Sequence, residues 1–182
     1  MKKIALFILG LAFGSSLFAQ NRTGNLHIVN YHSYGLDLYY TLNTVDINNC
    51  DSYKSNAPAA HIAQGNEVVC VKYSDMMTNN SHFPYPNTID GWTNVTNNSI
   101  YTPVNEYDVQ VVDTVWDRID FELNDSSNYN ATSPLTGSVG FVSSCVSSNA
   151  SVVTGSGTLN GNNYDFKGEA FTMGGDYWVF VK

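Results

Sequence analysis

The sequence predicts an all-β fold. Three observations carry the prediction. Asn, Ser, Thr, Gly and Tyr dominate the 182 residues while Leu, Lys and Glu are scarce, a composition of strands and turns rather than helices. Apolar residues recur in short runs with a period of two, as on a pleated strand with one buried face. Turn-forming pairs such as Asn160-Gly161 and Gly174-Gly175 punctuate those runs.

The first residues have a different character. Lys2 and Lys3 precede an apolar run from Ile4 to Phe13, then Gly14-Ser15-Ser16 and Leu17-Phe18-Ala19. A charged start, a short apolar middle and a small closing residue read as an export signal peptide, residues 1–19, too short to span a bilayer. Cleavage is expected after Ala19, with Gly14-Ser15-Ser16 as the alternative site. No cysteine follows either cut, so no lipid anchor is expected. Residues 20–182 have the length of one domain, with no membrane span, secreted or periplasmic.

The elements follow in order. Leu26 to Tyr31 reads as a strand and Tyr31 to Gly35 as a turn. Leu36 to Thr41 returns with Leu36, Leu38 and Tyr40 on one face. Asp46 to Pro58 reads as a polar loop carrying Cys50, and Glu67 to Tyr73 as a strand opened by Gly65-Asn66. Asp75 to Pro103 is long and interrupted by Pro84, Pro86 and Pro103, which excludes a central strand and marks a functional connection or short strands. Asp108 to Leu123 fits two periods. Val112, Val115, Trp116, Ile119 and Leu123 fall on one helical stripe; as strands, Ile119, Phe121 and Leu123 alternate with Asp120 and Glu122. The density of β-branched residues favours strands. Ser138 to Cys145, Ser151 to Leu159, Tyr164 to Met173 and Tyr177 to Lys182 complete the set. Eight or nine short strands joined by turns predict a single antiparallel β-sandwich, jelly-roll or immunoglobulin-like.

Charge narrows the partners. Without Lys2 and Lys3 the mature chain carries six basic against sixteen acidic residues, a formal charge of −10. Such a chain repels phosphate backbones and anionic lipid surfaces, so no nucleic-acid partner is expected. An exported chain can form disulfides. The three cysteines allow one bridge, and proximity in sequence predicts Cys50–Cys70 with Cys145 buried and free. No CxxC or His/Cys cluster is present, so neither a metal nor a cofactor is expected. Asp46-x-Asn48-x-Cys50-Asp51 has oxygen donors at a spacing near that of a calcium loop but lacks its central Gly and closing Glu; a turn that bonds its own backbone explains the same letters.

Two patterns point to function. Ser81 to Trp92 places His82, Phe83, Tyr85, Asp90 and Trp92 in a polar connection. Rings with a polar handle suit sugars or a partner protein, and Asp, Asn and Thr bond hydroxyls. This is the expected ligand-binding set, for a glycan or an extracellular protein, in a chain that does no catalysis. The second pattern is Arg118-Ile119-Asp120-Phe121-Glu122, where residues 118, 120 and 122 share a strand face. It resembles the Glu-x-Asp-x-Glu strand of laminarinase-type β-sandwich glycosidases, in which the first Glu attacks and the last protonates. Asp120 and Glu122 match the second and third acids; Arg118 occupies the first position and cannot attack. That resemblance implies an alternative, a small glycan hydrolase using Glu122 with another carboxylate, drawn from Glu67, Glu106 and Glu169 among the glutamates. A third reading is an exported inhibitor. His27, His32, His61 and His82 sit in no recognisable nucleophile motif, and no catalytic residue is assigned. N-terminal sequencing of the exported chain is expected to start at Gln20; a retained Met1 would refute the export reading.

Overall fold

A computed structural model describes residues 24–55, 60–70, 92–98, 100–101, 114–125 and 133–182. Among these residues there are twelve strands and no helix. In chain order the first six are β1 (Leu26–Asn30), β2 (Asp37–Asp46), β3 (Ser52–Ser55), β4 (Ala60–Ile62), β5 (Glu67–Cys70) and β6 (Trp92–Asn94). They are followed by β7 (Ile100–Tyr101), β8 (Thr114–Asn124), β9 (Thr136–Gly140), β10 (Val152–Leu159), β11 (Asn162–Met173) and β12 (Asp176–Val181). The expectation of eight or nine strands fell short because β3, β4, β6 and β7 are too brief to display a period of two. In particular, β3 lies inside the stretch read as a polar loop, and its Tyr53 is buried.

Two sheets enclose one core, as in a β-sandwich. The five-stranded sheet has the order β10-β11-β12-β1-β5; the seven-stranded sheet has the order β7-β6-β3-β2-β8-β9, with β4 also paired to β2. Nearly all pairings are antiparallel. The exception is β1 beside β12, which run parallel with Leu26 opposite Tyr177 and Asn30 opposite Val181. These strands come from opposite ends of the chain, so their pairing needs no tight crossover between neighbours. The shared core draws Leu26, Ile28, Tyr177 and Val179 from one sheet and Leu38, Tyr40, Ile119 and Phe121 from the other. The strand reading of 119–123 is therefore correct: Ile119, Phe121 and Leu123 are buried.

The helix-like stripe in that stretch has a local cause. The register of β2 on β8 shifts between Asn43 and Thr44: Asn43 faces Arg118 and Thr44 faces Trp116. Asp117 is thus the extra residue of a β-bulge, which reverses the alternation of β8 while β2 keeps its own. Trp116 and Ile119 consequently both face the core, three residues apart. Asn149 secures the bulge by donating from Nδ2 to Asp117 Oδ1 at 2.6 Å and to the carbonyls of Asp117 and Phe141 at 3.1 and 2.9 Å. Burial pushes the Asp117 carboxyl above its usual range, against the hydrogen bond from Asn149.

The hairpin turns are where sequence placed them. Asn160 and Gly161 have φ of 50° and 80°, and Gly174 and Gly175 have 67° and 95°, the left-handed region that Gly and Asn enter most readily. Strand β9 is a correction, however. It ends at Gly140, and residues 141–150 leave the sheet, where an extension to Cys145 was expected.

The disulfide is the second correction. Cys50 bonds Cys145, with Cα atoms 5.3 Å apart, and Cys70 is the buried free thiol. Cys70 lies on β5, opposite Leu26 and facing the core of the five-stranded sheet, where burial raises its pKa. Cys50 lies in the turn leaving β2 on the other sheet. Closeness in sequence misled because the chain changes sheets between the two. The bridge instead fastens the β9–β10 connection to the β2–β3 turn. Asp46 Oδ1 accepts from Asn48 N and Asn49 Oδ1 accepts from Asp51 N, so these carboxyl and amide oxygens serve the turn itself. Non-reducing peptide mapping is expected to recover Cys50 with Cys145 and Cys70 as a free thiol. A Cys50→Ser/Cys145→Ser variant should lose up to about 4.5 kcal/mol of stability in the chain-entropy model for a loop of this length, measured by urea denaturation.

Candidate functional site

Among the described residues, the solvent-facing side of the five-stranded sheet carries a contiguous group of rings. Alternation dictates which residues reach it: with Tyr177, Val179 and Val181 turned to the core, Trp178 and Phe180 of β12 must face outward. Register then sets their neighbours. Trp178 lies between Phe171 of β11 and His27 of β1, and Phe180 lies between Glu169 and Val29. Tyr31 follows directly after β1, its N–H donating to the Val181 carbonyl at 2.7 Å. Phe180 is the hub. It makes edge contacts with Tyr31, Phe171 and Trp178, at centroid separations of 5.4, 5.1 and 5.9 Å. Tyr31 is 56% exposed and Phe171 36%, so the hub is partly covered and its rim open.

Charged groups border the rings. His27 stacks on Trp178 with centroids 3.9 Å apart and planes 6° from parallel. Its Nδ1 lies 2.6 Å from Glu67 Oε1 and its Nε2 3.7 Å from Asp176 Oδ2. On the far side Glu169 sits between the ammonium groups of Lys167 and Lys182. Hydrogen bonds from Lys167 and then Lys182 hold its carboxyl below the usual range. The indole N–H of Trp178 is buried without a hydrogen-bond partner among the described residues.

The outer face of the seven-stranded sheet is different. Asp120 is surrounded: Arg118 Nε lies 2.9 Å away, Lys54 Nζ 3.2 Å, Ser138 Oγ 2.9 Å and Asn43 Nδ2 3.1 Å. Burial acts to raise its pKa. Arg118, the hydrogen bonds from Ser138 and Asn43, and Lys54 together outweigh that and hold it below the usual carboxylate range. Asp120 is therefore a committed anion rather than a proton donor. Glu122 shares its face, opposite Tyr39 and Thr136. Glu67 and Glu169 lie across the core on the other sheet, so neither is brought to Glu122.

Of the residues expected to bind ligand, His82, Phe83, Tyr85 and Asp90 lie outside the described residues, as does Glu106. Trp92 opens β6, its backbone paired with Ser55 and Tyr101 on the seven-stranded sheet. The ring face on the five-stranded sheet was not anticipated. Its signal was in Tyr177 to Val181, which is apolar at successive positions and so cannot have one apolar and one polar face. The chain matches no protein-family model, no curated protein and no solved structure.

A depressed folded-state pKa for Asp120 means that its stabilising effect is complete above the unfolded value of about 3.9 and lost as pH falls through the folded value. Asp120→Asn should therefore lower the urea midpoint near neutral pH. The gap from the parent should close as pH is taken from about 4 toward 2; a gap independent of pH would contradict the ion cluster.

Proposed function

We propose that this chain is a secreted, non-catalytic binding protein whose ring-bearing sheet face takes a neutral glycan. The observation that carries the reading is the contiguous group of Tyr31, Phe171, Trp178 and Phe180 on a solvent-facing sheet. Apolar rings gathered in one place on a surface need a reason, and a sugar ring stacks on such faces while its hydroxyls bond the rim. Glu67 and Asp176 supply hydrogen-bond acceptors beside the rings. The acidic balance of the chain favours uncharged sugars over uronic or sulfated ones. Binding is preferred to hydrolysis because the Asp120 carboxylate is already engaged by Arg118, Lys54, Ser138 and Asn43, and Glu67 and Glu169 lie on the other sheet from Glu122. The segment from His82 to Trp92 remains a second contact region on the same reading.

A glycan array probed with the mature protein is expected to give neutral oligosaccharides as hits and no anionic ones. Tyr31→Ala/Phe171→Ala should weaken binding of the best hit by about 2 kcal/mol or more by titration calorimetry. The fold should persist with the melting temperature lowered by only a few degrees, because Tyr31 and Phe171 are rim side chains that touch Phe180 edge-on and leave the core rings in place. Unchanged affinity in that variant, with loss in Trp92→Ala, would move the site to the connection preceding β6. An array without hits would overturn the glycan reading.

A further inference from the structure

The four outermost strands of the two sheets are unequal. In the described residues, β5 (Glu67–Cys70), β7 (Ile100–Tyr101) and β9 (Thr136–Gly140) are short edges, but β10 runs unbroken from Val152 to Leu159. Its register on β11 is regular throughout, with no bulge. It contains no proline and no charged residue, in a chain whose formal charge is −8. Four devices that ordinarily blunt an edge are absent from this strand: shortness, lysine, proline and a bulge.

The groups it presents can be read from the ladder. Lys167 donates its N–H to the Lys182 carbonyl at 2.7 Å and accepts from Lys182 N–H at 2.9 Å, so both its backbone groups point toward β12. Thr154, directly opposite Lys167, is consequently a non-hydrogen-bonded partner whose own N–H and C=O point away from the sheet. By alternation the same holds for Val152, Ser156 and Thr158. These residues have no backbone partner among the described residues on that side. Their side chains are exposed.

We infer that β10 pairs antiparallel with β10 of a second copy of this chain. The edge is self-complementary about a two-fold axis through Gly155. Thr154 then faces Ser156 of the second copy, and Val152 faces Thr158, so all the outward-pointing backbone groups are matched in one register. Cross-strand pairs of β-branched and hydroxyl residues favour that alignment. The match of this edge with itself about Gly155 is what points to a second copy as the occupant, and the absence of charge along it lets two acidic chains approach there. With the axis perpendicular to the sheet, the two five-stranded sheets become one and both ring-bearing faces lie on the same side. An isologous contact of this kind closes on itself as a dimer.

The test is sedimentation velocity of the mature, oxidised protein over a dilution series, with hydrogen exchange on dilute and concentrated samples. The expected result is a dimer that dissociates on dilution, with exchange at Thr154, Ser156 and Thr158 slowed at least about tenfold in the concentrated sample. Thr154→Lys/Ser156→Lys sets like charges opposite one another and should be monomeric, with the melting temperature of the dilute parent protein. If that variant folds poorly, Ser156→Pro removes only an N–H that points off the sheet and should likewise be monomeric. A monomer at every concentration would overturn the inference. So would a dimer that persists in these variants or protects amides elsewhere.

Discussion

The two sheets are locked together by aromatic rings seated where side chains are missing. Phe121 of β8 lies opposite Gly137 of β9 in its own sheet and reaches Gly168 of β11 in the other. A Cβ at Gly137 would stand 2.5 Å from the Phe121 ring, and one at Gly168 would stand 2.9 Å from it. Phe166 repeats the arrangement over Gly155, where a Cβ would stand 2.5 Å from the ring. The two phenyl rings meet edge to face at 5.7 Å. An interior of this density leaves no slack for an added methyl group. The glycines in β9, β10 and β11 are therefore packing residues, and they set how closely the sheets approach.

Buried polar groups are arranged so that the core tolerates them. Asn30, wholly buried at the end of β1, donates from Nδ2 to the carbonyls of Leu36 and Ile62 at 3.0 and 2.9 Å and accepts from His32 N at 3.1 Å. One side chain thereby ties the five-stranded sheet to the first turn and to β4 of the other sheet. Asn149 does the same at the Asp117 bulge. A satisfied amide of this kind adds geometry as well as energy, because any displacement strands its partners. The disulfide anchors the connection carrying Asn149, so the bulge, the bridge and the entry to β10 form one fastened corner.

That corner explains why parts of the fold were hard to read. Trp116, Ile119 and Leu123 spaced by three and four resemble a helix because a single extra residue, Asp117, inverts the pleat between them. Strand β3 escaped notice because four residues barely display a period, whereas β6 and β7 fall in the stretch from 75 to 103, where the sequence allows short strands without placing them. Cys50 and Cys70 looked like partners because sequence distance is visible and sheet membership is not. By contrast, the hairpins closed by Asn160-Gly161 and Gly174-Gly175 were legible residue by residue, since positive φ at those sites is a local demand. Of the ring face, only the outward direction of Trp178 and Phe180 was implicit in alternation. That Tyr31, Phe171 and His27 stand beside them depends on pairings between strands far apart in the chain.

The sequence by itself determined the secondary-structure class, the long C-terminal hairpins, the acidic character and the burial of alternate apolar residues. These follow from local sterics and from the period of two, which act within a few residues. Tertiary structure decided the strand order, the parallel contact between β1 and β12, the Cys50–Cys145 bridge and the assembly of rings on one face. Those depend on which strands share a sheet and at what register, and a one-residue shift would send every such side chain to the opposite face. Packing of the whole chain, through seats such as the one Phe121 makes of Gly137 and Gly168, is what selects that register.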